Sequence, residues 1–459
     1  MKTVLFLLFA LISGLAQAQL NSTYQFSDAS ASSWSGNPAF RGNEKFFIGF
    51  PALNAVELSG THTGFTFDQT IENESLQFQR VIQELDDVNH LIGSIRLGIL
   101  NGGFRVDTKW HFRFGAQLIS DFRISYPKSL FDLVYKGSGH LDIIGQNIDM
   151  SGLAFNSMTY TDYFVGGSRS LLKDRLHVGL NIHFMHGVAV AYTETSAFSF
   201  YADPDTYSIS SNGSYTYHTN LVGDSATYDL LNDAEDFANK FNDPYSFELG
   251  RGAAIDVGVR YKIKEKIEIQ AAAMNVGAIK FDKNVATYQL GSGVFTYDGV
   301  EIEDFVDNID SAESAFEAMV DSLSNVFSKD VFSKTFAVPT NARFSFGMNY
   351  KINPRNDVNV QLAHLKSFNS GFNTISALYR KKFGLVFWVY GGAQMFQFTD
   401  LLIPVGFHLN LGPVQVGVGT TNLISAIAPS KTGVFNGQFN LAFRFGRDRG
   451  EIQSTENIN

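Results

Sequence analysis

The chain contains no cysteine. That absence excludes disulfides, thiolate metal centres and a lipid-anchored cysteine. Basic residues are scarce: 35 Lys and Arg stand against 45 Asp and Glu. Nucleic acid needs a basic face for its phosphates, so it is excluded as a partner. After residue 18 no apolar run reaches about 18 residues, which leaves no candidate transmembrane helix. The common catalytic signatures are missing too: G-x-S-x-G, H-E-x-x-H, the phosphate-binding loop and the dinucleotide glycines. No catalytic residue, metal site or cofactor is therefore assigned, and the expectation is a protein that is not an enzyme. The ten histidines are scattered. His177, His183 and the nearby His186 are too far apart along one strand to share a metal without help from another strand.

What is present begins with the first residues. Lys2, the apolar run from Val4 to Ile12, and the small residues Ala16 and Ala18 spaced for cleavage read as a secretory signal peptide over 1–18. Its removal takes out one lysine and moves the net charge from −10 to −11. Aromatics are abundant, with 43 Phe and 18 Tyr. They are finely mixed with polar residues, and the period of the mixing is two. Trp110, Phe112, Phe114, Ala116 and Leu118 alternate with His111, Arg113, Gly115 and Gln117. Leu176 to Phe184, Ile255 to Ile263, Phe344 to Ile352 and Phe439 to Phe445 repeat the pattern. Successive side chains of a strand point to opposite faces, so each run has one apolar and one polar face.

Many of these runs last about nine residues or more, longer than the usual five or six of globular strands. Strands of that length span a bilayer when tilted. The expectation is an all-β fold: an antiparallel transmembrane β-barrel of about 14 strands over 19–445, with a polar tail over 446–459. A secreted β-sandwich shares the two-faced pattern, but run length and aromatic load disfavour it. Turns are expected at Asn101-Gly102-Gly103, at Asn353-Pro354-Arg355-Asn356 and at Gly412-Pro413.

Several segments break the period. Residues 127–136 look like a short amphipathic helix, with Pro127 at its start and Gly137 at its end. Helical spacing recurs near 78–88, 230–241 and 311–327. The last two lie in long inserts, about 201–250 and 283–338, expected to be extracellular loops. The acidic run from Asp298 to Asp321 could hold Ca²⁺ by residue type, but a solvated loop is the commoner outcome. On the polar faces of the strands lie Arg113, Arg123, Asp256, Arg260, Arg343 and Lys351. These are candidate lumen charges, and such mixed charge favours a closed bore over an open pore.

The segments WSGNPAFR (34–41), KFFIGFPALNAVELSGTHTGFTFD (45–68) and above all SYPKSLFDLVYKG (125–137) resemble a family of Bacteroidota outer-membrane proteins described only as a domain of unknown function. The resemblance extends over nearly the whole mature chain and implies a single barrel in the outer membrane, without an established activity. Asn37-Pro38-Ala39 is similar to an element of FadL/PorV-type barrels, which include carriers of hydrophobic compounds. That likeness implies a carrier of small hydrophobic or amphipathic molecules in contact with outer-membrane lipid. Asn37 and Pro38, or Pro127 and Phe131 of the short helix, are candidate plug or gating residues. The alternative is a structural or secretion-associated barrel whose acidic loops bind envelope protein partners.

Overall fold

The computed structural model describes residues 25–26, 30–42, 44–66, 68, 71–72, 75–76, 78–206, 208–220, 249–290, 294–296, 327–330, 334–384 and 386–446. The cleavage residues Ala16 and Ala18, the helices expected near 230–241 and 311–327, the acidic run and the tail beyond Gly446 lie outside them.

Alternating runs become the staves of a closed, antiparallel, 14-stave transmembrane barrel. The first stave is in two pieces, β1 (Phe46–Gly49) and β2 (Asn54–His62). Then follow β3 (Val88–Arg105), β4 (Trp110–Pro127), β5 (Ala154–Leu171) and β6 (Leu176–Ala202). β7 (Ser208–Thr219) only prolongs the upper half of β6 and stands outside the ring. The ring continues from the lower half of β6 to β8 (Gly250–Lys264) and β9 (Ile267–Phe281). The eighth stave is again in two pieces, β10 (Phe336–Pro339) and β11 (Ala342–Asn353). β12 (Asn356–Ser367), β13 (Ser370–Phe383), β14 (Phe387–Phe396), β15 (Val405–Leu411), β16 (Val414–Thr420) and β17 (Val434–Phe445) complete it. Closure is direct: Phe46 faces Phe445 across the seam, and β2 pairs with β17 from Val56 to Thr61. The ring therefore closes on itself with no terminal strand left free among the described residues, which is what a bilayer demands of strands.

Exposure inverts the soluble pattern. Phe114, Leu180, Phe184, Val257, Phe346 and Leu362 are exposed, at 39 to 55%. Their neighbours in sequence, Arg113, Asn181, His183 and Asp256, are almost fully buried. Apolar residues therefore face outward and polar residues fill the bore, as lipid on one side and packed side chains on the other require.

The two ends differ. Six short connections, at 106–109, 172–175, 265–266, 354–355, 384–386 and 412–413, lie at the end where β1 begins and β17 stops. Long connections and the short helices α1 (Phe78–Glu84), α2 (Lys128–Lys136) and α3 (Leu423–Ile427) lie at the other end. Short turns mark the periplasmic side of such barrels. The wall is uneven as well: β3, β4 and β5 have 18 residues each and β6 has 27, whereas β15 and β16 have 7.

The turn at Gly412-Pro413 forms as expected, with Gly412 at φ 61° and Leu411 facing Val414. The turn at Asn353–Asn356 also forms. Asn101-Gly102-Gly103 does not turn; it lies inside β3, where Asn101 faces Gly115. These glycines serve close packing: a Cβ on Gly103 would sit 2.4 Å from the Phe47 ring. The insert expected from 201 is partly strand, since β6 and β7 run on as a hairpin above the membrane wall.

Candidate functional site

The bore is closed twice, by different chemistry. The lower closure is the segment 30–40 together with Gln25 and Phe26. Here Asn37 and Pro38 press against two lumen-facing glycines. A Cβ on Gly179 would lie 1.9 Å from the Pro38 carbonyl oxygen, and one on Gly258 would lie 2.0 Å from Asn37 Oδ1. No other residue type fits at either position without moving the segment. Asn37 Oδ1 accepts from the Ala39 amide at 2.8 Å, an Asx turn, while its Nδ2 donates to the Ala271 carbonyl at 3.1 Å.

Arginines from the wall complete the seat. Arg113 donates from Nη2 to the Pro38 carbonyl at 2.6 Å and from Nε to Asn181 Oδ1 at 2.6 Å. Its guanidinium lies 5.8 Å from the centre of the Trp34 ring. Arg343 donates to the carbonyls of Ser35 at 2.8 Å and Gly36 at 3.1 Å. On the far wall, Gln270 and Asn359 donate to the Gln25 carbonyl. Phe26 sits 4.4 Å from the Arg380 guanidinium and in a cluster with Leu378, Trp388 and Tyr390. Arg380 is itself held by Asp357, with Nε to Oδ1 at 2.9 Å. The Ala31 amide donates to Gln415 Oε1 at 3.0 Å, so the backbone of a segment with a single 3-10 turn at Ser33–Ser35 finds partners on five staves.

Behind this seat lies a buried charge array. His183 donates from Nδ1 to Asp162 and from Nε2 to Asp256, both at 2.9 Å. A carboxylate thus stands at each ring nitrogen. Asp256 also accepts from Asn181 Nδ2 at 2.8 Å and from the Asn275 amide at 2.6 Å. A continuous chain of hydrogen bonds therefore runs from Asp162 through His183, Asp256, Asn181 and Arg113 to Pro38.

The upper closure is apolar. The turn joining β12 to β13 folds inward and places Phe368, 1% exposed and at φ 49°, into the bore. There it meets Met158, Tyr192, Met185, Ile279 and Phe281. Arg123 crosses the bore to donate to the Ser367 carbonyl at 2.8 Å, and Tyr192 donates to Asn369 Oδ1 at 2.9 Å. Between the two closures remains a cavity of about 70 Å³. Trp34, Val56, Ile119 and Met274 line part of it; Glu57, Arg96, Asp162, His183 and Arg343 are among the polar groups that line the rest. Its β2 wall is irregular. The β2–β3 ladder pairs at Asn54–Gly98 and His62–Leu91 with an irregularity between them, and Ala52 and Ala55 are both at positive φ.

Of the residues singled out in sequence, Asn37, Pro38, Arg113, Asp256 and Arg343 come together at the lower closure, and Arg123 serves the upper one. Arg260 is buried near Glu268, 3.6 Å away, closer to the floor. Lys351 is a correction. It has the right parity, but β11 runs past the floor into its turn, and Lys351 is exposed at the rim. Pro127 and Phe131 do not enter the bore closures. Pro127 caps α2, which ends at Gly137 as expected, and Phe131 packs 5.1 Å from Tyr126 at the mouth. Leu133 of α2 joins Met150, Phe198 and Phe200 beneath the upper hairpin. Sequence reasoning missed Gly179, Gly258, Asp162 and Phe368. The two glycines stood on the polar face as silent spacers, and Phe368 lay in what reads as a plain turn. Among the described residues no group of three or more metal-ligating side chains is found.

The chain is similar in structure to the toluene transporter TodX of Pseudomonas putida, at 9% identity over 92% of this chain and 95% of that one, TM-score 0.40. It is similar to the toluene transporter TbuX of Ralstonia pickettii, at 10% identity over 91% and 94%, TM-score 0.42. It is also similar to a FadL homologue of Pseudomonas aeruginosa, at 9% identity over 95% and 98%, TM-score 0.41. No curated protein sequence matches it. A family model matches residues 38–421, from the Pro38 of the lower closure to the end of β16, and the chain belongs to that family, the family of unknown function DUF5723.

Proposed function

We propose that this barrel lies in the outer membrane and carries small hydrophobic or amphipathic molecules, not as an open pore but through a cavity held between two closures. The observation that carries the reading is the cavity's divided lining. Trp34, Val56, Ile119 and Met274 offer apolar surface, and Arg96 and Glu57 offer partners for a polar end. Ligand sites are typically apolar with a few placed polar groups. A molecule entering from outside meets the apolar packing around Phe368 first. Leaving on the other side requires the Asn37-Pro38 segment to lift from Gly179 and Gly258. Turnover of the cargo is not part of this reading, and purified protein should show no esterase activity above buffer.

The test uses the full chain with Trp110 and Trp388 replaced by Phe, so that Trp34 alone reports. Titration with toluene and with decanoate in detergent should shift or quench Trp34 emission saturably for at least one of them. Unchanged emission with both, together with no accelerated uptake of either into proteoliposomes, would sink the carrier reading.

A further inference from the structure

The short-turn end carries cations on the outside of the wall. Arg169 is exposed on the outer face of β5, its guanidinium 4.7 Å from the centre of the Trp110 ring, its partner in register on β4. Arg175, in the turn after β5, lies 5.7 Å from the Tyr261 ring and donates to the Ile263 carbonyl at 3.0 Å. Lys381 Nζ lies 5.1 Å from the Phe383 ring on β13. All three rings belong to the outward face, and Trp110 and Phe383 are 37% and 49% exposed. A cation over an aromatic face is attracted by its quadrupole and lies flat against the wall. Each charge is thus fixed at the boundary where the apolar belt gives way to the turns.

Further cations ring the same end. Lys109, Lys173, Lys266 and Arg355 are exposed in the turns, so five of the six short connections have a basic residue in them or within the last three residues of the preceding strand. The exposed carboxylates among those connections are Asp107, Asp174 and Glu265. Asp174 is already engaged by Arg41 and Lys262, at 2.8 and 2.9 Å. The chain as a whole is acidic, so a basic collar at one end is a local concentration, not an average.

We propose that this collar binds the phosphate groups of anionic phospholipids in the leaflet at the short-turn end. Arg169 stands on the fourth stave, Arg175 in the turn that follows it, over the Tyr261 ring of the sixth stave, and Lys381 on the tenth, so the three do not surround one point. A free phosphate needs donors that converge on one point. A lipid leaflet offers an anion wherever the wall meets it, and long basic side chains at the edge of an apolar belt reach that level.

The test is reconstitution of the full chain in vesicles of phosphatidylglycerol and phosphatidylcholine, with native mass spectrometry of retained lipid. Wild type should retain phosphatidylglycerol several-fold over phosphatidylcholine, and 500 mM salt should lower that ratio. The triple variant R169Q/R175Q/K381Q should lose most of the preference, while K128Q/K136Q at the opposite end should keep it. Should the triple variant fail to fold by heat-modifiability on gels, R169Q alone is compared with wild type and should lower the ratio measurably. Equal retention of the two lipids by wild type overturns the proposal. So does an undiminished ratio in the triple variant, or in R169Q where it stands in. Displacement of the preference by 10 mM inorganic phosphate at constant ionic strength would also overturn it, because that would mark a phosphate site and not a lipid collar.

Discussion

The two closures solve the same problem, a bore that must not leak, with opposite materials. The lower one is polar: a segment with one short 3-10 turn, glycine cradles, arginines and backbone carbonyls. The upper one is apolar: Phe368 pressed among Met158, Met185, Ile279 and Phe281. Hydrogen bonds have fixed directions and a fixed number of partners, so the lower seat specifies one position for Asn37 and Pro38. Dispersion contacts are numerous and non-directional, so the upper one holds by area and can repack. The contrast teaches that the lower closure breaks abruptly when one fitting is wrong, and the upper one weakens by degrees.

That difference can be broken on purpose. The largest effect is expected from Gly179→Leu, because the Pro38 carbonyl occupies the space a side chain needs. The segment should leave its seat, and planar-bilayer recordings of Gly179→Leu combined with Phe368→Ala should show open-channel current where wild type and either single variant are silent. A silent double variant would mean that these two closures do not seal the bore. Next comes Arg113→Ala, which strands the Pro38 carbonyl and Asn181. The cost should be about 3 kcal/mol, from two buried acceptors left unpaired, read as a fall in the unfolding midpoint. In the upper closure Phe368→Ala should cost about 3 kcal/mol or more by cavity formation, yet leave the bore electrically silent because the lower seat is intact.

A smaller effect concerns the tether of the lower segment. Burial pushes the Asp174 carboxyl up, but hydrogen bonds from Ser170 and Lys262 and the charge of Lys262 outweigh it and hold it below the usual carboxylate range. A depressed carboxylate contributes above its unfolded value, about 3.9, and its contribution is lost as pH falls through the folded value. Proteolysis near Arg41, which Asp174 holds at 2.8 Å, should therefore quicken only below about pH 4. Asp174→Asn should show the faster cleavage already at pH 7. If the two proteins are cleaved alike at pH 7, this pair is no tether. The smallest effect is Lys351→Gln at the rim, expected within about 0.5 kcal/mol of wild type. Arg343→Gln, with the same parity but seated on Ser35 and Gly36, should be clearly worse in the same denaturation series.

The barrel was largely legible because its cause is local. Period two, carried by runs such as Leu176 to Phe184, is written residue by residue, and a bilayer on one side with packing on the other reads it the same way on every stave. Arg113, Asp256 and Arg343 were recognisable as lumen residues for that reason. Lys351 was misplaced because parity gives the face of a strand but not its height. Asn101-Gly102-Gly103 misled because glycine looks the same whether it permits a turn or admits the Phe47 ring.

What the sequence by itself determined is thus the kind of wall: antiparallel staves of membrane length, apolar outward and polar inward. Only the tertiary structure decided what fills it. The seat of Pro38 joins positions 38, 113, 179 and 258, and the upper closure joins 123, 158, 192 and 368. Those contacts depend on which staves face each other across the ring. Closure of the ring sets that, and no short-range pattern in the chain encodes it.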